Sequence, residues 1–159
     1  MSATSIVVTV LVIGLVWFIY NGNQKQKQIA QINREDAEAF LAVNTEKEGV
    51  ITTDSGLQYE VITKGEGNQF PTMSDSVRVH YHGTLLNGMV FDSSVERGKA
   101  ITFTPKQVIE GWREALQLMV TGDKFRLYIH PDLGYGNKSA GKISAGSLLI
   151  FEVELIDIN

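Results

Sequence analysis

The sequence predicts an α+β fold: a twisted antiparallel sheet with one short helix laid on one face, preceded by a transmembrane helix and a helical stalk. Three observations predict it. Short runs of alternating apolar and polar residues recur between residues 57 and 158. A single stretch, Trp112 to Met119, keeps helical spacing in the middle of them. A charge-free apolar run opens the chain and is followed by a segment rich in Gln, Lys, Ala and Glu. The 159 residues suit one compact domain with an extension rather than two full domains. With 43% hydrophobic residues and a net charge of -4, the chain is neither disordered nor a basic nucleic-acid binder, so no nucleic-acid partner is expected. It has no cysteine, which excludes a disulfide framework, thiolate zinc sites and a Cys nucleophile.

The elements follow in order. From Ser2 to Gly22 nothing is charged, and Ala3 to Tyr20 supplies 18 nearly continuous apolar residues, at the lower edge of the roughly 17–25 a spanning helix needs. Trp17 and Tyr20 stand at its end, where amphipathic rings favour the lipid–water boundary. No positive region precedes the run and no small-residue cleavage site follows it, so residues 1–22 are expected as an uncleaved anchor, touching the membrane through residues 3–20. Lys25 and Lys27 follow the run and none precedes it, a bias that favours a cytoplasmic C-terminal side. Arg34 is offset by Glu35 and Asp36. Residues 23–49 form the stalk, helical over 24–48, with Ile29, Ile32, Ala37, Phe40 and Leu41 as a rough stripe and Gly49 as the residue that ends it. This stalk is read as a solvated spacer with a candidate homodimer contact along 24–48.

Residues 50–159 form the domain. Leu57 to Ile62 alternates loosely, and Val77 to His82 alternates strictly, with Val77, Val79 and Tyr81 on one face and Arg78, His80 and His82 on the other. Asn87-Gly88 is a hairpin signal. Thr104-Pro105 opens a helix-like turn, and Trp112, Ala115, Leu116 and Met119 line one face of the short helix. Lys124 to His130 is a strand with Phe125, Leu127 and Ile129 on one side. The last strand, Ser147 to Ile158, places Leu149, Phe151, Val153 and Leu155 together.

The usual catalytic signatures are missing: there is no phosphate-cradling Gly loop and no Gly-x-Ser-x-Gly elbow. His80 and His82 share a strand face, but a metal site needs three or four convergent ligands and the sequence offers no third, so no metal and no cofactor are expected. Asp132, after Pro131, reads as a turn residue. What remains is a set of inward-facing aromatics: Tyr81, Phe91, Phe103, Trp112, Tyr135 and Phe151. Periodicity alone leaves two readings open, an ordinary hydrophobic core and an apolar site.

Five segments resemble the FKBP-type peptidyl-prolyl cis-trans isomerases, in the family's order and with family-like spacing. They are Val79-His-Tyr-His-Gly-Thr-Leu, Gly88-Met-Val-Phe-Asp-Ser-Ser, Gln107-Val-Ile-Glu-Gly-Trp-Arg-Glu-Ala-Leu-Gln-Leu-Met, Pro131-Asp-Leu-Gly-Tyr-Gly and Leu149-Ile-Phe-Glu-Val-Glu-Leu-Ile. Asn33-Arg-Glu-Asp-Ala-Glu-Ala-Phe-Leu-Ala and Gly56-Leu-Gln-Tyr-Glu-Val resemble bacterial members related to the macrophage infectivity potentiator. The resemblance implies a half-barrel sheet wrapped on the short helix, with a substrate pocket between them. Trp112 would form its floor, and Tyr81, Phe91, Phe103, Val108, Ile109, Tyr135 and Phe151 would line it. Asp92 would sit at the edge, accepting from the Tyr81 hydroxyl and pairing with Arg97. The Ile109 N–H and the Tyr135 hydroxyl would hold substrate carbonyls. Phe103, Arg97 and Ile143 would form the rim, with Ile101 able to share the place of Phe103. One departure is visible: the loop before the last strand reads Ile143-Ser-Ala-Gly where relatives often carry Pro, and it is one residue shorter than in some.

The implied activity is isomerisation of Xaa-Pro bonds in proline-containing polypeptide clients, with macrolide immunosuppressants as candidate ligands. The alternative is a non-catalytic peptide-binding module or holdase on the same fold. The implied location is the inner membrane, single-pass, with the isomerase domain periplasmic, against the Lys bias noted above.

Overall fold

A computed structural model describes the backbone of residues 3–159, and side-chain surroundings from residue 11 onward except at Gly14. One helix, α1, runs unbroken through Ala3–Asn44, about 60 Å at 1.5 Å per residue. The expected boundary between anchor and stalk at residues 22–23 is therefore not a break in secondary structure. Among the described residues no helix is long and apolar enough to cross a membrane; the first half of the expected anchor, residues 3–10, lies outside the described side chains. From Leu11 to Tyr20 the described apolar residues are all exposed.

α1 stops five residues before Gly49. Asn44 ends it, and Gly49 instead supplies a left-handed turn (φ 88°) into the sheet. The expected stripe is also shifted. Ile29 and Ile32 face solvent, while Ala30, Ala37 and Asn44 are buried at successive heptad steps. Small side chains win here because this face of α1 lies against the domain, and alanine lets the two backbones approach. The stalk is thus not a free spacer. The Asn44 amide donates to Gln58 Oε1 at 2.8 Å, and Gln58 Nε2 donates to the Leu41 carbonyl at 2.9 Å. The Phe40 ring sits 5.7 Å from that of Tyr128.

The domain is one antiparallel sheet. Its strands are β1 (Val50–Thr52), β2 (Gln58–Thr63), β3 (Val77–Leu85), β4 (Val90–Ser93), β5 (Ile101–Phe103), β6 (Lys124–Ile129) and β7 (Leu149–Ile158). They lie in the order β1-β2-β6-β7-β3-β4, with β5 also on β3. β3 and β7 form the central pair, from Val77↔Ile158 to Leu85↔Leu149. The free edge of β3 is divided: Val77–Val79 pairs with β5, and His82–Thr84 pairs with β4. The Asn87-Gly88 turn closes β3 onto β4, with Gly88 at φ 83°. The short helix α2 is Glu110–Leu116, beginning earlier and ending earlier than its apolar spacing suggests. A turn of 3₁₀ helix at Pro105–Gln107 precedes it, its Thr104 N–H donating to Gln107 Oε1 at 2.9 Å.

Alternation decides the two faces. Val77, Val79 and Tyr81 of β3, Phe125, Leu127 and Ile129 of β6, and Leu149, Phe151, Val153 and Leu155 of β7 are all buried on the α2 side. Gly111 lets α2 seat directly on the sheet, since a Cβ there would lie 2.7 Å from Ile129 Cγ2. The sheet therefore wraps α2 on one face, while the C-terminal end of α1 covers part of the other at Tyr128 and Gln58.

Candidate functional site

The inward face does not close completely. Between α2, the open end of the sheet and the loop before β7 lies a cleft of about 810 Å³. Trp112 forms its floor, almost fully buried. Strand pairing puts three rings around that floor. Phe151 packs edge-on at 5.1 Å between centroids, Tyr81 at 5.5 Å, and Phe91 stands edge-on to Phe151 at 5.2 Å. Phe103 comes from β5, tilted against Trp112 at 5.6 Å. Val108 and Ile109 arrive from the turn into α2, and the Val108 carbonyl accepts from Arg113 Nη2 at 3.4 Å. The opposite wall is the loop 132–146, which contributes Tyr135 and Ile143.

Every residue expected in the pocket is therefore brought to one cleft except Arg97. Arg97 is not part of the lining. It closes a triangle with Tyr81 and Asp92 at the cleft's edge. The Tyr81 hydroxyl and Arg97 Nη1 both donate to the Asp92 carboxylate, and Arg97 Nη2 donates to the Tyr81 oxygen at 2.9 Å. Burial pushes the Tyr81 phenol up, and its bond to Asp92 adds to that. Burial would raise Asp92, but the hydrogen bonds from Tyr81 and Arg97 outweigh it and hold the carboxyl below its ordinary value. At neutral pH the phenol keeps its proton and the carboxylate keeps its charge. Neither group is therefore poised to exchange a proton near neutral pH.

Sequence reasoning passed over several residues. Gln107 and the loop residues Ala140, Gly141 and Lys142 also line the cleft, and Ile101, expected as able to share the place of Phe103, lines it together with Phe103. Gly83 sits at an inward position on β3, where a Cβ would lie 2.7 Å from Phe91 and 2.8 Å from Phe151, so its missing side chain makes room for two rings. Ser94 fills the point where the edge of β3 passes from β5 to β4. Its hydroxyl accepts from the Tyr81 N–H at 2.8 Å, and its own N–H donates to the Tyr81 carbonyl at 3.0 Å. Ser94 ends the segment Gly88-Met-Val-Phe-Asp-Ser-Ser, but its task is not legible there, because the gap it fills exists only once three strands have met. The two histidines face away from the cleft, His80 against Ser94 and His82 against Ser93, each at 3.0 Å. Asp132 is more than a turn residue, since it receives Arg34 of α1 at 2.6 Å.

The cleft holds no nucleophile beside a base. It offers an aromatic floor, a locked ion pair at the edge and two polar groups able to meet a ligand. The Ile109 N–H finds no acceptor among the described residues, and the half-exposed Tyr135 lines the cleft. The buried Trp112 Nε1 is also without an acceptor among the described residues.

Comparison with known proteins adds the following. Residues 67–156 match the family model described as FKBP-type peptidyl-prolyl cis-trans isomerase. Residues 18–61 match the domain amino terminal to FKBP-type peptidyl-prolyl isomerase. The chain is 49% identical over 126 residues to the isomerase FkpA of Aeromonas hydrophila, covering 79% of this chain and 47% of that protein. It is 45% identical over 130 residues to the outer membrane protein MIP of Legionella longbeachae, covering 81% of this chain and 55% of that protein. The crystal structure of FkpA from Escherichia coli superposes with a TM-score of 0.91 at 34% identity, over 100% of this chain and 74% of that one. The chain thus spans about half the length of the curated relatives it matches.

Proposed function

The chain belongs to the FKBP-type peptidyl-prolyl cis-trans isomerase family, and from that premise we propose that it accelerates Xaa-Pro isomerisation in folding polypeptides, using the cleft over Trp112. The observation that carries this reading is an open aromatic cleft of about 810 Å³ whose one carboxylate, Asp92, is already engaged by Tyr81 and Arg97.

Isomerisation must cross a barrier of about 18–20 kcal/mol and takes about 10–100 s unaided. The barrier is amide resonance, which puts positive charge on nitrogen and negative charge on oxygen in the planar forms. Twisting the bond cancels that separation, so the twisted state is the less polar one. A cleft that excludes water disfavours the planar forms relative to the twisted one. A surface shaped to the twisted prolyl ring adds differential contact. An acceleration of 10⁴ to 10⁵ requires about 5–7 kcal/mol of such preference. In this reading the prolyl ring lies on Trp112 between Tyr81, Phe91 and Phe151. Val108 and Phe103 flank it. The Ile109 N–H and Tyr135 hydroxyl hold the flanking carbonyls, and Asp92 keeps Tyr81 oriented. Macrolide immunosuppressants would occupy the same cleft.

The location proposed is the cell envelope, with α1 anchored in the inner membrane and the domain on the periplasmic side. The exposed apolar residues of α1 from Leu11 to Tyr20 support the anchor, and the name of the Legionella longbeachae relative, an outer membrane protein, supports the envelope alone. A homodimer along residues 24–48 would use the exposed side bearing Ile29, Ile32 and Val43, since the other side meets the domain. The full chain in detergent, assayed with a Phe-Pro peptide, tests the activity. Acceleration is expected, and its absence leaves a holding module. Protease accessibility in spheroplasts tests the location: digestion of the domain is expected, and full protection overturns the periplasmic placement.

A further inference from the structure

Four residues of α1, Gln26, Ala30, Asn33 and Arg34, meet the loop that makes the second wall of the cleft. Arg34 donates from Nε to Asn137 Oδ1 and from Nη2 to Asp132 Oδ1, both at 2.6 Å. Asn33 Nδ2 donates to the Ala145 carbonyl at 2.7 Å. Ala30 lies with its main chain against Gly146, so near that a Cβ on Gly146 would overlap the Ala30 carbonyl. These anchors bracket the cleft-lining part of the loop. Tyr135 lies between the two acceptors of Arg34, and Ile143 lies two residues before Ala145.

Inside the bracket, the main chain is tied only to residues 130–147, and one exposed side chain, Ser139, accepts from Gln26 Nε2 of α1 at 3.3 Å. Ala140 and Ile143 bond each other, Lys138 N–H reaches Tyr135, and Gly146 N–H reaches Gly136. Among the described residues these main-chain groups make no bond to a strand of the sheet. We propose that Arg34 and Asn33 are positioning residues: α1 acts as a brace that holds loop 132–146 in the shape of a pocket wall and so sets Tyr135 and Ile143 against the substrate.

The chemistry fits that task. A guanidinium is a planar fork that meets two oxygens with little loss of freedom, and its bond to a carboxylate is charge-assisted. Asp132 is well exposed, with 65% of its side chain open, so the pair adds little to global stability. Its effect is on which loop conformations are populated. When only a fraction of molecules hold the competent wall, apparent affinity falls by that fraction. The inference rests on the isomerase reading of the cleft for its kinetic consequence, but not for its structural one.

The test uses the full chain in detergent, with Arg34→Ala, Asn33→Ala and Arg34→Lys, and with Gln31→Ala as a control whose amide bonds only to Glu35 on the same helix. Two readouts are taken: kcat and KM on a Phe-Pro peptide, and amide exchange of residues 134–146. Arg34→Ala should raise KM about three- to tenfold with kcat within about twofold, and should speed exchange across the loop. Asn33→Ala should act in the same direction by less. Arg34→Lys should restore part of the loss, because one ammonium can keep Asp132 but not the two-pronged contact. Unchanged KM and unchanged exchange in a folded Arg34→Ala would overturn the proposal, as would a fall in melting temperature with KM unmoved. Should Arg34→Ala fail to fold, Asn33→Ala decides by the same two readouts. If the wild type turns over no prolyl peptide, the isomerase reading fails, and the exchange measurement still decides the brace.

Discussion

The two walls of the cleft are held in different ways. The sheet wall carries Tyr81, Phe91 and Phe151 on strands that pair along their length, so each ring is placed by a ladder of main-chain bonds. The loop wall carries Tyr135 and Ile143 on a segment without strand partners, steadied by a helix about a hundred residues earlier in the chain. Each wall depends on one glycine at its closest approach: Gly83 under two rings, Gly146 against the Ala30 carbonyl. The contrast teaches that one site can be part rigid template and part fitted lid-side surface. The template sets what shape is favoured, and the other wall sets how often the shape is complete.

Replacing the two glycines breaks the contrast most strongly. Gly146→Ala forces a side chain into a φ of 76° and against α1. It should destabilise the protein by about 1–3 kcal/mol in urea denaturation from backbone strain alone. It should also undock residues 30–34, seen as faster amide exchange there. Gly83→Ala should cost about 1–3 kcal/mol by overpacking. Its signature differs, because the displaced Phe91 and Phe151 rings enter the cleft, so turnover falls while exchange in α1 stays unchanged.

Smaller effects sharpen the picture. Tyr81→Phe removes the hydroxyl that links Asp92 and Arg97. It should lower kcat/KM about tenfold, equivalent to about 1.4 kcal/mol, with the denaturation midpoint nearly unmoved. Wild-type kcat/KM in a folded Tyr81→Phe would remove the orienting role.

The smallest effect is in pH. Asp92 and Asp132 are both held low, Asp92 by Tyr81 and Arg97 against its burial, Asp132 by Arg34. A carboxyl depressed in the folded state contributes stability that is fully present above its unfolded pKa of about 3.9 and is lost as pH falls through the folded value. Stability from these two pairs should therefore be flat from about pH 5 to 8 and decline below about pH 4. Turnover should be flat from about pH 5 to 9, since Asp92 stays ionised and the raised Tyr81 stays protonated. A bell-shaped profile inside that range would point to proton transfer and against a purely apolar mechanism.

Much of this was legible before any coordinates. Strict alternation in Val77–His82 and Leu149–Leu155 identified the inward faces of β3 and β7, because side-chain direction in a strand is set by a period of two and nothing else. The ring set over Trp112 followed from those faces together with the family resemblance. Helix α1 was legible as a helix but not as a docked one. Its apolar spacing pointed to Ile29 and Ile32, which face solvent, while the face that meets the domain is built on Ala30, Asn33, Arg34 and Ala37. Hydropathy finds greasy faces and is blind to one made of small residues and hydrogen-bonding groups. Arg34 looked cancelled by its neighbours Glu35 and Asp36, yet its partners are Asp132 and Asn137.

By itself, then, the sequence determined what is local: the strand periods, the hairpin at Asn87-Gly88, the short helix and the identities of the aromatic residues, all set by backbone geometry within a few positions. Tertiary structure decided what joins distant segments. It put Ser94 into the gap beside Tyr81, joined Arg97 to both Tyr81 and Asp92, and laid α1 against the loop wall. Those contacts depend mostly on where segments 13 to 112 residues apart come to rest, and such separations leave no periodic trace in the order of residues.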